Sequence, residues 1–405
     1  MDLAYDFSSS KSTNSRYVYD ADSGGAYTAL NDTLSSNFEV NTYRHTPNIG
    51  FNYDHEAWRI NTNVGLLNTI LQNENLLNPA SFDNTYNNLY LSARVRYELE
   101  RSKSISIDYR TNANTPSIRQ LQPVADRTNP LNIVVGNPAL RPAYSHNIGG
   151  GFRSFNFGAG GGSGIFSSFD LSFTENQVVA VSTIGDDLRR TTTYANVDGA
   201  MSAGARVFYT KSTRKEEHEF RYRMSLTGNY NKNVGFTNGT LFNSKRISVS
   251  PGIRLTYAIQ EVFEVNPSYS LTYNDTKYSI NEDRNEDFIN HRVGFEATTF
   301  WPKNVIFGND ISYNYNGNVS PGFQNSSILW NTSLGYQFLD EKATLKVKVY
   351  DVLDQVVDTR RIIGDDYIQD TNSLILTQYA MLSFTYKLSN FGGQSGRPGG
   401  PPRRR

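Results

Sequence analysis

The side chains most often used in metal and nucleophilic chemistry are few and scattered in this chain. The sequence has five histidines and no cysteine. The histidines lie at positions without a ligand-like spacing: His45, His55, His146, His218 and His291. Zinc and non-haem iron sites need several such ligands brought close together. The pattern therefore indicates no metal or other cofactor, and the lack of cysteine excludes a disulfide scaffold and a thiol nucleophile.

Acidic pairs and glycine-rich stretches are the remaining candidates for a catalytic site. Asp186-Asp187, Asp340-Glu341 and Asp365-Asp366 lack the oxygen-ligand loop of a strong calcium site, and solvated turn carboxylates explain them better. Glycine-rich stretches at 149–151 and 158–164 are not followed by Lys-Ser/Thr and no predicted helix begins there, so they are not phosphate loops. No nucleophile elbow occurs in a strand-to-helix context either. We therefore predict that the protein is not an enzyme.

Composition excludes several other classes. The 405 residues carry 39 Lys and Arg against 39 Asp and Glu, so nothing draws the whole chain to nucleic acid. Only 38% of residues are hydrophobic, below the roughly 45% of globular chains, yet 13% are aromatic. No run approaches the roughly 18 apolar residues of a transmembrane helix, and residues 1–7 lack the features of a signal peptide. The folded chain must therefore be stabilised by something other than a large apolar core or transmembrane helices.

Strict alternation of apolar and polar residues is the dominant signal along the chain. In 220–230, one parity is almost entirely apolar or aromatic while the other carries Arg221 and Arg223. The same period of two continues through 247–259 and 263–273, and it predicts strands. About sixteen strands are expected, in these segments: 1–10, 36–54, 57–74, 86–100, 103–115, 141–156, 164–184, 189–211, 217–237, 240–259, 262–280, 287–301, 304–319, 326–338, 342–352 and 371–388. The chain is predicted to be all-β.

The connections and the polar parity together favour a transmembrane antiparallel β-barrel. Tight turns are expected at 54–56, 100–103, 259–262, 302–304 and 339–342. Longer connections at 11–35, 75–85, 116–140, 281–286 and 353–370 alternate with them, as at the two rims of an outer-membrane barrel. The stretch 158–164 is expected to break this rule. The charged residues on one face of the predicted strands need contact with water. A barrel provides this contact, because its apolar residues face lipid and its polar residues face a water-filled lumen.

Three motifs resemble a known family. Residues 116–123 read Pro-Ser-x-x-Gln-Leu-x-Pro, 129–131 read Asn-Pro-Leu, and 136–142 read Gly-Asn-Pro-x-Leu-x-Pro. A penultimate strand leads into Asp351-Val352-Leu353-Asp354-Gln355, with Asp354 where asparagine is usual. The chain ends with a strand to 388 and a Gly/Pro/Arg tail. Together these resemble the outer membrane β-barrel family related to TonB-dependent receptors of Bacteroidota-type bacteria.

The resemblance implies more than the chain itself contains. The family implies a barrel of roughly 22 strands in the cell outer membrane, closed around an N-terminal plug that contacts TonB, sometimes with a surface-binding lipoprotein partner. Here residues 1–388 match the C-terminal part of such a barrel, and 389–405 are expected to be a disordered tail. Plug, TonB-contacting segment and the first strands have no counterpart. The chain is therefore interpreted as a fragment or truncated product whose first partner is outer-membrane lipid.

Three functions remain open at this point. The chain is expected to be the barrel portion of a transporter for a scarce nutrient, a stand-alone passive porin, or a surface adhesion or structural barrel. For a transporter, five residues of the Pro- and Asn-rich loop are the expected ligand contacts: Arg119, Gln122, Asp126, Arg127 and Asn137. An equally weighted alternative is that this loop is ordered for its own packing. The identity of the substrate does not follow from the sequence.

Overall fold

The computed structural model describes residues 1–32, 34–77, 81–158, 160–355, 358–363, 368–373 and 377–387. These residues form strands in the following order: β1 Asp2–Arg16, β2 Tyr19–Ala21, β3 Tyr27–Leu30, β4 Ser36–His55, β5 Trp58–Asn75, β6 Phe82–Glu100, β7 Lys103–Asn114, β8 Asp126–Asn129, β9 Asn132–Val134, β10 Ala143–Gly158, β11 Gly161–Glu175, β12 Gln177–Ile184, β13 Arg190–Val197, β14 Ala200–Lys215, β15 His218–Thr237, β16 Thr240–Ile259, β17 Phe263–Tyr278, β18 Glu286–Thr299, β19 Val305–Asn316, β20 Ser326–Phe338, β21 Ala343–Tyr350, β22 Asp358–Ile363, β23 Ile368–Ser373 and β24 Tyr379–Tyr386. One short helix, α1, spans Ile118–Leu121, and a 3-10 turn spans Glu282–Arg284. Within these ranges no helix has the length and apolarity to cross a membrane.

Sixteen of these strands form a single antiparallel sheet. Its order is β1-β4-β5-β6-β7-β10-β11-β14-β15-β16-β17-β18-β19-β20-β21-β24. We call this sheet the wall, and each of its strands pairs with the strands next to it in this order. The all-β prediction and the number of about sixteen strands are confirmed. In the described part of the chain β1 and β24 are not paired with each other, and the sheet has two open edges.

Short and long connections alternate around this sheet with one exception. One rim, here called the turn rim, has only brief connections, such as Glu56–Ala57 and Glu216–Glu217. The prediction that 158–164 would break this alternation was wrong. Strand β10 ends at Gly158 and β11 starts at Gly161, so the connection between them is short as well. The opposite rim, here called the loop rim, carries the long connections. Among the described connections of the loop rim, only that between β15 and β16 is a two-residue turn, formed by Asn238-Gly239. Both residues have positive φ angles, which suit a hairpin turn.

Two expected strands proved to be two strands each, and the predicted strand 371–388 overlaps the end of β23 as well as β24. The predicted strand 164–184 contains β11 and β12, and 189–211 contains β13 and β14. The chain leaves the wall at Asn176 and returns at Gly199, both of which have positive φ. Asparagine and glycine adopt this left-handed conformation more easily than other residues. The wall strand therefore ends there, although β-branched residues that favour strands continue into β12.

The register places unlike side chains on the two faces of the sheet. Leu226 lies opposite Val207 on one neighbouring strand and Pro251 on the other. One residue further, Thr227 lies opposite Arg206 and Ser250. We call these the apolar face and the polar face. Because the hydrogen-bonded register repeats from strand to strand, each face is continuous across the wall.

The apolar face has the dimensions of a hydrocarbon layer. On β16 its residues from Ile247 to Ile259 span roughly 28 Å along the membrane normal if the strand is tilted by about 45°. Side chains in this band are open to the surroundings: Leu226 is 50% exposed and Ile253 is 38% exposed. A water-soluble protein rarely exposes so continuous an apolar surface. The band fits lipid.

Placing a charge on each face in turn tests whether the apolar face contacts lipid and the polar face contacts water. Leu226→Arg puts a guanidinium near the middle of the apolar band, and we expect it to lower the free energy of unfolding by about 2–4 kcal/mol. The matched change Asn229→Arg lies on the polar face, opposite Gly204 and Ser248, and is expected to change it by less than roughly 0.5 kcal/mol. Urea titration of the protein in phospholipid vesicles measures both. Equal losses would contradict the assignment of the faces.

Candidate functional site

Two long connections fold together at the loop rim. Residues 115–142 contain α1, β8 and β9, and residues 176–199 contain β12 and β13. Their strands form a four-stranded sheet in the order β12-β13-β9-β8, in which β9 runs parallel to β13. We call these two connections the rim cap. Since each connection hydrogen-bonds to the other, the rim cap is one ordered structure.

The rim cap has its own apolar core, which packs against the polar face of the wall near the loop rim. Leu121 and Leu140 from the cap pack with Val40 of β4 and Leu71 of β5, and all four side chains are buried. Half-buried side chains surround them: Phe82, Tyr86, Ile118, Val178 and Tyr194. The hydroxyl of Tyr86 donates to the carbonyl of Leu140 at 3.0 Å. This core anchors the cap to β4, β5 and β6.

The sequence motifs of the loop form the contacts that fold it. The backbone N–H of Ser117 and its hydroxyl both donate to Oε1 of Gln120, at 2.8 and 3.0 Å. The N–H of Gly136 donates to the carbonyl of Gln122 at 2.8 Å, and the N–H of Asn137 donates to that of Gln120 at 2.6 Å. A Cβ at position 136 would lie 2.4 Å from the Gln122 carbonyl oxygen. Only glycine fits this close approach.

The five residues predicted as ligand contacts fall into two groups. Gln122 is buried, and the Asn137 amide donates to the Tyr194 carbonyl at 2.9 Å. Asp126 forms an ion pair with Arg16 of β1 at 2.9 Å. These three residues therefore help to hold the cap together.

Arg119 and Arg127 form the second group, because both are exposed on the cap. The structure brings all five residues into the rim cap, but only these two present their charged ends to solvent.

Two carboxylates organise other connections of the loop rim. Asp22, between β2 and β3, accepts from the N–H groups of Ala26 and Gly24 and from the Thr28 hydroxyl, which lowers the pKa of this carboxyl. Asp370 of β23 accepts from the Ser320 hydroxyl and from Arg361, and both contacts lower its pKa. Each carboxylate therefore stays charged at neutral pH and ties a loop in place. The Asp365-Asp366 pair lies outside the described residues.

The polar face below the cap is rich in arginine. Near the turn rim, Arg59 and Arg96 share the carboxylate of Glu98, at 3.4 and 3.3 Å. Further along, Arg153 donates to the Ser104 hydroxyl at 2.9 Å. Arg254 pairs with Glu296 at 2.5 Å. Across the described ranges, no three His, Asp or Glu side chains converge to hold a metal ion.

Comparison with known protein families identifies the type of β-sheet protein to which these two faces belong. The model of the outer membrane protein beta-barrel family matches residues 2–258 and 243–386. This chain belongs to that family. The apolar face therefore lies in the lipid of the outer membrane, and the polar face lines the lumen of a transmembrane β-barrel.

The solved structures that match this chain are distant from it in sequence. The ferric-catecholate import receptor Fiu of Escherichia coli K12 in its open form is 10% identical, with a TM-score of 0.40, and the match covers 95% of this chain and 65% of that one. This chain thus spans less than two thirds of the length of Fiu. The outer membrane transporter YddB of Escherichia coli is 8% identical over 95% and 73% of the two chains, with a TM-score of 0.25. OccK2 of Pseudomonas aeruginosa is 9% identical over 96% and 99%, with a TM-score of 0.23. No curated protein matches this chain.

The close packing at Gly136 can be tested by adding one methyl group. Gly136→Ala forces Cβ against the backbone of Gln122, and we expect the rim cap to lose roughly 1–3 kcal/mol of local stability. Hydrogen exchange measured by mass spectrometry should become faster in 115–142 and remain unchanged in the wall. The control is Gly228→Ala, since a Cβ at position 228 meets nothing within 4 Å. Unchanged exchange in the Gly136 variant would contradict the packing described here.

Proposed function

We propose that this barrel is the wall of an outer-membrane transporter related to TonB-dependent receptors, which admits a scarce nutrient. The observation that carries the proposal is the combination of an ordered cap at the loop rim with a charged, water-facing lumen beneath it. An ordered cap offers a fixed surface for capture, and the polar lumen offers a path. A barrel that served only as an anchor would need neither feature.

The open sheet edges support further strands in the assembled protein. Hydrocarbon supplies no hydrogen-bond partners, so the free backbone groups of β1 and β24 need other strands within the membrane. We propose that additional strands complete the barrel and that a plug and a TonB-contacting segment complete the transporter.

The exposed arginines of the cap are the proposed first contacts for the nutrient. Arg119 and Arg127 face solvent, whereas Gln122 and Asn137 shape the surface through contacts within the cap and Asp126 ties the cap to Arg16 of β1. Guanidinium groups bind carboxylate and phosphate groups through paired hydrogen bonds. A surface-binding lipoprotein would dock over the same rim.

A passive porin is the second candidate. Barrels of sixteen strands are wide enough to enclose a water-filled channel without a plug, and the wall here has sixteen strands. A porin passes solutes by diffusion, whereas the proposed receptor needs energy supplied from the inner membrane. A surface adhesion or structural barrel would pass nothing.

Energy dependence separates the three functions. Cells with and without the gene are compared for uptake of labelled ferric chelates, oligosaccharides and peptides, with and without a protonophore. The receptor predicts saturable uptake of one class that the protonophore abolishes. Uptake that survives the protonophore would establish a porin, and no gene-dependent uptake of any class would leave an adhesion or structural barrel.

The role of the two exposed arginines is tested in the same assay. The double variant Arg119→Ala/Arg127→Ala should raise the KM for uptake by roughly tenfold or more, because two charged contacts are lost. Its amount in the membrane should not change, since neither side chain is buried. Arg101→Ala, an exposed arginine at the turn rim, is the control and should leave KM unchanged. An unaltered KM in the double variant would remove these residues from the binding surface.

A further inference from the structure

The lumen wall between β14 and β18 contains a recess built around a glycine. Gly252 lies on the polar face, opposite Ser225 of β15 and Ser270 of β17. Continuing across the strands, Ser225 lies opposite Phe208, and Ser270 lies opposite Arg292. Because Gly252 has no side chain, this transverse row has a gap in its centre. The free volume there is about 400 Å³, enough for a small organic molecule.

Three arginines surround the gap. Arg292 closes one end of the row, while Arg223 and Arg254 face each other directly on the adjacent row towards the turn rim. Like charges directly opposite each other in a sheet are destabilising. Of these three arginines, Arg254 alone has a counter-charge among the described residues, Glu296 at 2.5 Å. In the described part of the chain, Arg223 and Arg292 have no carboxylate within 4 Å, so the recess carries surplus positive charge.

Hydroxyl groups and one aromatic wall complete the lining. Three serines provide hydroxyl groups around the gap: Ser225, Ser268 and Ser270. On the β14 side, Phe208 faces the lumen and lies opposite Phe166 of β11. These phenylalanines are 47% and 41% exposed, although they lie on the polar face. The recess thus combines cations and hydroxyl donors with an apolar surface at one end.

We propose that this recess binds a small organic anion. The carboxylate or phosphate group lies between Arg223 and Arg292, whose unpaired guanidinium groups offer paired N–H donors. The serine hydroxyls donate to the remaining anion oxygens, and the carbon skeleton of the ligand contacts Phe208. Binding of the anion offsets the repulsion between Arg223 and Arg254. The proposal that the recess binds an anion stands independently of the proposed function. Only the further step, that the anion is the transported nutrient, rests on the proposed function.

The chemistry of the ligand is tested with three probes. The protein is purified from outer membranes in detergent, in the form that the cell makes, and titrated calorimetrically with benzoate, benzyl alcohol and inorganic phosphate at low salt. Benzoate should bind at least tenfold more tightly than benzyl alcohol, which has the same ring without the charge. It should also bind more tightly than inorganic phosphate, which lacks the ring. Raising the salt to about 0.5 M should weaken the benzoate affinity because exposed charges are screened.

Variants show whether the recess is the place of binding. Arg223→Gln and Arg292→Gln should each weaken benzoate binding by roughly tenfold or more, and Arg223→Lys should recover only part of the affinity because the paired donors are lost. Phe208→Ala should weaken binding of benzoate and leave binding of phosphate unchanged. The matched control is Lys346→Gln, which removes a positive charge from the polar face of β21, outside the recess. It should leave the benzoate affinity unaltered.

Several results would overturn the proposal. These are equal affinities for benzoate and benzyl alcohol, equal affinities for benzoate and inorganic phosphate, or the same loss in Lys346→Gln as in Arg223→Gln. The probe comparison uses the unmodified protein, so it decides the matter even if a variant fails to fold. Anion binding without energy-dependent uptake would leave the recess established and the transporter proposal refuted. Uptake without anion binding would do the reverse.

Discussion

The hydrocarbon of the membrane offers no partner to a backbone N–H or C=O, so each must be paired by a neighbouring strand. The antiparallel sheet meets this requirement with the shortest possible connections at one rim, where each strand turns directly into its neighbour. A turn fixes the register of the strands that it joins. The pairing of Thr237 with Thr240, for example, places Arg223 opposite Arg254 far down the same hairpin. Backbone pairing therefore determines which side chains meet in the lumen.

Once the backbone groups are hydrogen-bonded, the side chains of the two faces are determined by the different solvents that they contact. The lipid face carries mainly apolar and aromatic side chains in its central band. The lumen face tolerates guanidinium groups because water and a few carboxylates compensate them, as Glu98 does for Arg59 and Arg96. Where compensation is incomplete, as around Gly252, surplus charge remains available to a ligand. The same alternation that lets the chain cross the membrane thus creates its charged interior.

Much of the wall could be predicted because it depends on local patterns. Period-two alternation located the wall strands, and clusters of turn residues located the turn rim. The strand boundaries at Asn176 and Gly199 could not be predicted in this way, since residues with a high strand propensity continue into β12 and out of β13. Whether a strand belongs to the wall or to the rim cap depends on its pairing partner, and the parallel pairing of β9 with β13 joins segments far apart in the chain.

The candidate site shows the same division. The loop was identified from its residue types, but these do not distinguish a buried Gln122 from an exposed Arg119, because burial follows from how two loops fold onto each other. The recess around Gly252 was missed although its signal was present in the register of two hairpins. The tail predicted for 389–405 lies outside the described residues. Side chains that meet across paired strands can be calculated from turns, whereas contacts between loops cannot.

The most direct test of the central claim uses the absence of cysteine from the chain. Single cysteines are introduced in turn at positions 223 to 228 of β15, and intact outer-membrane vesicles are treated with a charged thiol reagent that does not enter lipid. The two faces predict reaction at positions 223, 225 and 227 and protection at 224, 226 and 228. Uniform reaction, or reaction at the even positions, would contradict a wall with lipid on one side and water on the other.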